Sequence, residues 1–282
     1  MNVAITINSF SCPTMCDNFF VSLRQFNLNG MLGAIIGDIA GSKYEFNNVR
    51  TEEFEFMGPG CDYTDDTICT VAVAEAAMSD QDYASHLQKW CRKYPHPMGS
   101  YGGNFARWIH EENPEPYGSW GNGAPMRVAS IGWLFDSEAE VAKQARASAA
   151  VTHNHQFGLF AAELVATAIF RLRHTAPKET AADNIEKVFG WLPEYRPFSN
   201  KFDESSMNAV PVAVSCFLAS NSFEDAVRKS IIVGGDSDTI GAITGALAEA
   251  YYGIPMDLKE KALAFLPEDI LLSLDQFNSL IK

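Results

Sequence analysis

MLGAIIGDIAGS, residues 31–42, sets Gly33, Gly37 and Gly41 four residues apart. In a helix that spacing puts all three on one face. Each glycine costs a helix roughly 1 kcal/mol relative to alanine, so three on one side point to another backbone lying very close. The rest of the stretch is apolar except for Asp38, a charge that is expensive there unless it is partnered.

Outward from this segment the helical period continues and alternating, strand-like runs are scarce. Helices are expected at Thr67–Met78, from caps at Ser79 and Asp80 to about Lys93, and at Gly103–His110, Ala124–Phe135, Ser137–Ala150, Gln156–His174 and Pro177–Phe189. Further helices are expected at Met207–Ala219, Phe223–Ile232, Thr239–Tyr252, Leu258–Phe265 and after Pro267. Two loops rich in glycine and proline interrupt them, Tyr94–Gly102 and Asn113–Gly123, and such loops commonly carry binding groups. No fixed-period repeat and no long linker divides the chain. The expected fold is therefore one all-α domain over residues 31–282. Residues 1–30 lack periodicity and read as a loose N-terminal extension, with Met31 a candidate start of the domain.

Six cysteines form no CxxC pair, and Cys12 with Cys16 supplies only half of a zinc site. Unpaired thiols in apolar stretches suit a reduced, cytoplasmic protein. No run is long and apolar enough for a transmembrane helix, and the N-terminus lacks the pattern of a signal peptide. A formal net charge of −14 disfavours a broad nucleic-acid surface while leaving room for a small anionic ligand in a local pocket. A monomer is expected.

Two short acidic motifs carry the chemistry. YTDDT (63–67) and GGDSDT (234–239) each precede an expected helix, and each offers two carboxylates with hydroxyls in a single turn. These are hard oxygen donors of the kind Mg²⁺ and Mn²⁺ prefer. Asp and Thr are also ordinary helix caps, so either motif alone would be unremarkable in that role. More than half of the chain separates the two, and only the fold can join them. Four converging carboxylates would suit two ions about 3.5–4 Å apart. Beyond the first helix Glu45 falls on a loop, where a lone glutamate is ordinarily a solvated side chain.

With GAIIGDIAGSKYEF (33–46), YTDDT (63–67), YGGNF (101–105), GSWGNGAPMRV (118–128), THNH (152–155) and GGDSDTIGAITGALAEAYYG (234–253) in this order, the chain resembles the ADP-ribosylglycohydrolase family, including its dinitrogenase reductase-activating members. The resemblance implies an orthogonal multi-helix bundle with a dinuclear Mg²⁺ or Mn²⁺ cleft, two ions per chain. Carried over by motif, Thr64, Asp65, Asp66, Asp236, Asp238 and Thr239 are the implied metal ligands. Glu45 is the implied mobile carboxylate beside the attacking water, and Asp65 and Asp66 share in catalysis. Gly102, Gly118, Ser119 and Trp120 are the implied lining of the diphosphate and adenosine pocket, and His153 touches substrate. Glycines admit close backbone approach to phosphate, and Trp120 offers a stacking face. Read without the resemblance, Trp120 is equally a core aromatic, and His153 a cap or core residue. Arg127, in an expected helix, has two candidate partners, Asp38 or a phosphate.

The implied reaction is hydrolysis at the anomeric carbon of the distal ribose, on an ADP-ribosylated protein or small molecule. The chain departs from the family pattern at Gln156–Phe157, where many members have Pro-Glu, and around Ser205–Asn208. Both departures bear on the leaving group rather than on metal binding. A prenyl-diphosphate enzyme is disfavoured because Cys69 stands where DDxxD needs its last aspartate. A silent ADP-ribose binder would be marked by missing metal ligands, and none is missing.

Overall fold

The computed structural model describes residues 29–281. The extension is thus outside the described residues up to position 28, as are Cys12 and Cys16. Its last two residues are tied to the domain: the Asn29 amide donates to Asn278 Oδ1, and the Gly30 amide to Glu249 Oε1 at 2.7 Å. No extended strand occurs among the described residues. Thirteen α-helices follow one another: α1 Leu32–Ser42, α2 Asp65–Met78, α3 Tyr83–Lys93, α4 Gly103–Trp108, α5 Ala129–Leu134, α6 Glu138–Ala150 and α7 Gln156–Arg173. After them come α8 Ile185–Phe189, α9 Ser206–Ala219, α10 Phe223–Ile232, α11 Ser237–Tyr252, α12 Met256–Leu263 and α13 Glu268–Leu280. No helix among the described residues is long and apolar enough to cross a membrane.

The glycine stripe does what its spacing predicts. Helices α1 and α11 run antiparallel, with Gly33 against Gly245, Gly37 against Gly241 and Gly41 against Ser237. A Cβ placed on Gly37 would lie 1.9 Å from the Gly241 carbonyl oxygen. The obstacle is backbone, which cannot swing aside as a side chain can. Glycine is therefore required on both helices, and α1 and α11 form the central seam. Helices α7, α9 and α10 pack on α11, while α2 packs on α1, α3, α5 and α13. The seam brings the C-terminal end of α1 beside the N-terminal end of α11, so the start of the second acidic motif lies next to the loop that carries Glu45.

Three expected helices are shorter or broken. Ala124–Phe135 divides into a 3₁₀ turn, Pro125–Arg127, and α5. Pro177–Phe189 divides into a 3₁₀ turn, Lys178–Ala182, and α8, because Asn184 takes a left-handed conformation between them. Gly103–His110 ends at Trp108. The cap of α3 is Asp82, which accepts the Ser85 amide at 3.1 Å, while Asp80 accepts the Asp82 amide one turn earlier.

Candidate functional site

The first acidic turn is set by Asp38. This carboxylate is fully buried in α1 and accepts four hydrogen bonds, from the amides and hydroxyls of Thr64 and Thr67. Burial still pushes its pKa up to about 6. Arg127 does not bond it, so of the two partners open to Arg127 in the sequence, Asp38 is excluded. Thr64 caps α2 by accepting the Asp66 amide, and its hydroxyl donates to Asp38 Oδ1 at 2.8 Å.

The second turn is shaped by two left-handed glycines, Gly234 (φ 86°) and Gly235 (φ 91°), a conformation glycine adopts without steric cost. Asn48 clasps this turn from one side: its Oδ1 accepts the Gly235 amide at 2.9 Å and its Nδ2 donates to the Gly235 carbonyl at 2.8 Å. The same Nδ2 reaches the Tyr44 carbonyl at 2.7 Å. Asn200 donates to the Gly234 carbonyl from the other side. Asp236 occupies the cap position of α11, yet its side chain accepts no backbone amide. Its Oδ2 instead accepts Asn122 Nδ2 at 2.6 Å, which weighs against a purely capping role.

The fold joins the two motifs: Thr239 Oγ1 donates to Asp66 Oδ2 at 3.2 Å. Carboxylate oxygens of Glu45, Asp236 and Asp238 lie within 4.8 Å of one another. Asp65, Asp66 and Thr239 line the same cleft, of about 260 Å³. Burial first, and then the neighbouring carboxylates, raise the pKa of Asp65, Asp66 and Asp238 well above the usual range. Glu45 rises to about 8, from burial and then from Asp236 and Asp38. Such crowding favours protonation unless a cation compensates it. Asp66 Oδ1 is buried without a hydrogen-bond partner, an acceptor aimed at nothing in the protein. An all-oxygen donor set with an orphaned carboxylate oxygen fits Mg²⁺ or Mn²⁺.

Gly102, Ser119 and His153 also line this cleft. Gly102 has open space where a Cβ would project. Gly118 and Trp120 lie in an adjoining outer hollow with Tyr117 and Ser205. Trp120 is 52% exposed, which removes the core-aromatic reading. The helix cap in THNH is His155, which accepts the Phe157 amide, and His153 is 5% exposed at the cleft wall. The two segments expected to depart from the family pattern meet at Trp120: its ring packs on His155, next to Phe157, and its carbonyl accepts the Ser206 amide.

Asp38, Asn48, Asn122 and Glu204 are site residues that a reading of the sequence overlooks or leaves without a role. Asn122 sits inside the quoted GNG, so its signal was available. Asn48 and Glu204 have none: Asn48 reaches Gly235 across most of the chain, and Glu204 lines the cleft from a loop outside both acidic motifs. Gly99 (φ 79°) is a further constraint: a Cβ there would lie 2.7 Å from the Glu45 carboxylate.

A family model described as ADP-ribosylglycohydrolase matches residues 23–276. The chain belongs to the ADP-ribosylglycohydrolase family. It is accordingly a hydrolase of ADP-ribose glycosidic bonds, of a metal-dependent family. It is 27% identical to human ADP-ribosylhydrolase ARH3, over 89% of this chain and 92% of that protein. It is 24% identical to the ADP-ribosyl-[dinitrogen reductase] glycohydrolase of Rhodospirillum rubrum, over 83% of this chain and 87% of that one. A solved structure, an ADP-ribosylglycohydrolase-related protein complex, superposes with a TM-score of 0.70 at 24% identity, covering 92% of this chain and 98% of its own; that likeness bears on the fold.

Proposed function

We propose that this chain releases ADP-ribose from a modified protein side chain or another ADP-ribosylated acceptor, using two Mg²⁺ or Mn²⁺ ions held in the cleft. The residues that would hold them are Thr64, Asp65, Asp66, Asp236, Asp238 and Thr239. Bound there, divalent ions would lower the pKa of a water and steady the ribose as positive charge develops. Water adds through its oxygen to the anomeric carbon, the bond to the acceptor breaks, and the acceptor leaves with a proton. Glu45 would take the proton of the attacking water; in support, it is the carboxylate in the cluster that comes from neither acidic motif, and Asn48 ties its segment to the second one. Asp65 and Asp66 hold the first side of the site. Gly102 and Ser119 give the diphosphate backbone and hydroxyl partners, while Gly118 and Trp120 receive the adenosine in the outer hollow. The Trp120 edge, where the segments around Phe157 and Ser206 meet, bears on which acceptor is used.

One observation carries this reading: the direct Thr239–Asp66 hydrogen bond that brings the two acidic motifs to one point. The test is a panel of ADP-ribosylated substrates (on arginine, serine, nucleobase and acetyl ester) with mass-spectrometric detection of free ADP-ribose. On the substrate that turns over, Glu45→Ala should keep ADP-ribose affinity and slow hydrolysis by about 10²–10⁴-fold. A Glu45→Ala variant at wild-type rate removes Glu45 from the chemistry, and no release from any substrate removes the reaction.

A further inference from the structure

Behind the cleft wall runs a buried polar relay. Arg127, 1% exposed at the end of the Pro125–Arg127 turn, donates through Nη2 to the Ser148 carbonyl and to Thr152 Oγ1, both at 2.9 Å. Thr152 is wholly buried, and its Oγ1 lies 2.7 Å from His153 Nδ1. Among the described residues these are the hydroxyl's only partners. Arg127 makes no ion pair among the described residues, and its Nε is buried without a hydrogen-bond partner. A buried guanidinium with no carboxylate beside it, forming part of the cleft wall, suits an anionic ligand.

The proton positions follow from chemistry. A guanidinium only donates, and a hydroxyl has one proton to give. Thr152 Oγ1 receives an N–H from Arg127. Were His153 Nδ1 also to donate to it, the threonine proton would be left without an acceptor in a site closed to water. The satisfied arrangement is Arg127 N–H to Thr152 Oγ1, and Thr152 O–H to Nδ1 of the imidazole. Nδ1 is then an acceptor, and the ring proton sits on Nε2. Burial, and then the Arg127 charge, hold the His153 pKa well below its ordinary value, so the ring stays neutral. Nε2 lies on the Gly121–Gly123 side, 3.4 and 3.2 Å from where a Cβ on either glycine would sit.

We infer that Arg127 and Thr152 are positioning residues that lock His153 in its Nε2–H form, aiming one N–H donor into the cleft at an oxygen acceptor such as a diphosphate carries. The ligand part of this inference rests on the ADP-ribose reading above; the tautomer part does not. A ligand that placed a donor at that point would meet an N–H head-on and be rejected, so the relay selects for an acceptor oxygen.

The test uses the full chain with ¹⁵N-labelled histidine. Long-range proton–nitrogen correlation spectra report the tautomer of each of the six histidines, and His153→Gln identifies the His153 signal. Expected in the free protein at neutral pH is a neutral ring, protonated on Nε2. Thr152→Val should mix the tautomers and weaken ADP-ribose about tenfold or more by calorimetry, and Thr152→Ser should restore both. An Nδ1–H or charged ring in the wild type overturns the inference, as does a Thr152→Val protein whose tautomer is unchanged. Wild-type protein with the expected spectrum and no ADP-ribose affinity would overturn the ligand part and the ADP-ribose reading, leaving the tautomer assignment standing.

Discussion

The turn before α2 hangs from the core, whereas the turn before α11 is clasped at the rim. Asp38 anchors the first with four hydrogen bonds from within α1 and has no exposure to solvent. Asn48 and Asn200, both only partly buried, hold the glycine turn of the second. Asn48 also bonds the carbonyls of Tyr44 and Glu45, so the second turn and the Glu45 segment are held together. Two motifs that look alike in sequence are thus held in different ways. The first pair of carboxylates is anchored from the core, and the second shares its support with the segment that carries Glu45.

Removing one of the proposed ligands outright should erase the distinction. Asp238→Ala should lower metal occupancy and turnover together, turnover by more than about 10³-fold, measured by metal analysis beside ADP-ribose release. If turnover falls while occupancy does not, Asp238 is not a ligand.

Asp38→Asn should sharpen the contrast from the core side. An amide nitrogen would replace one acceptor among four donors, costing about 3 kcal/mol of stability in denaturant unfolding and weakening the metal as well. Asn48→Ala should cost less, about 1–2 kcal/mol, and weaken Mg²⁺ roughly tenfold by calorimetry. Equal losses in the two variants would mean that core and rim tethers do not differ.

The far end of the seam serves as the control. Glu249 is buried, accepts the Gly30 and Gly33 amides, and has its pKa raised by burial to about 7 from 4.5. A carboxyl whose pKa is raised on folding contributes stability that is present below the unfolded value and lost as pH rises through the folded one. Wild-type stability should therefore fall, relative to Glu249→Gln, between about pH 4.5 and 7 by up to about 3 kcal/mol, read as melting temperature against pH. Turnover at saturating metal should be unchanged. A turnover loss in this variant would show that the seam transmits strain to the cleft.

Much of this architecture was open to a reading of the sequence, for identifiable reasons. Gly33, Gly37 and Gly41 declare a close backbone because glycine in a helix has a cost that only contact explains. The doubled aspartates point to a cation site because four like charges seldom share a site. What stayed hidden were tethers between residues far apart in the chain: Asp38 to Thr64 and Thr67, Asn48 to Gly235, Asn122 to Asp236. An asparagine in a loop carries no period and no local pattern to betray its partner. The broken helices at Ala124–Phe135 and Pro177–Phe189 were missed for a related reason. Their residues are tolerable in a helix, and tertiary packing chose turns instead.

The most direct test of the account is the ion count. Calorimetric titration of chelator-stripped protein with Mg²⁺ or Mn²⁺, checked by elemental analysis, should give two ions per chain, falling below two in Asp66→Ala and in Asp238→Ala alike because each motif supplies its half of one site. No ion bound, or a single zinc unaffected by either substitution, would contradict it.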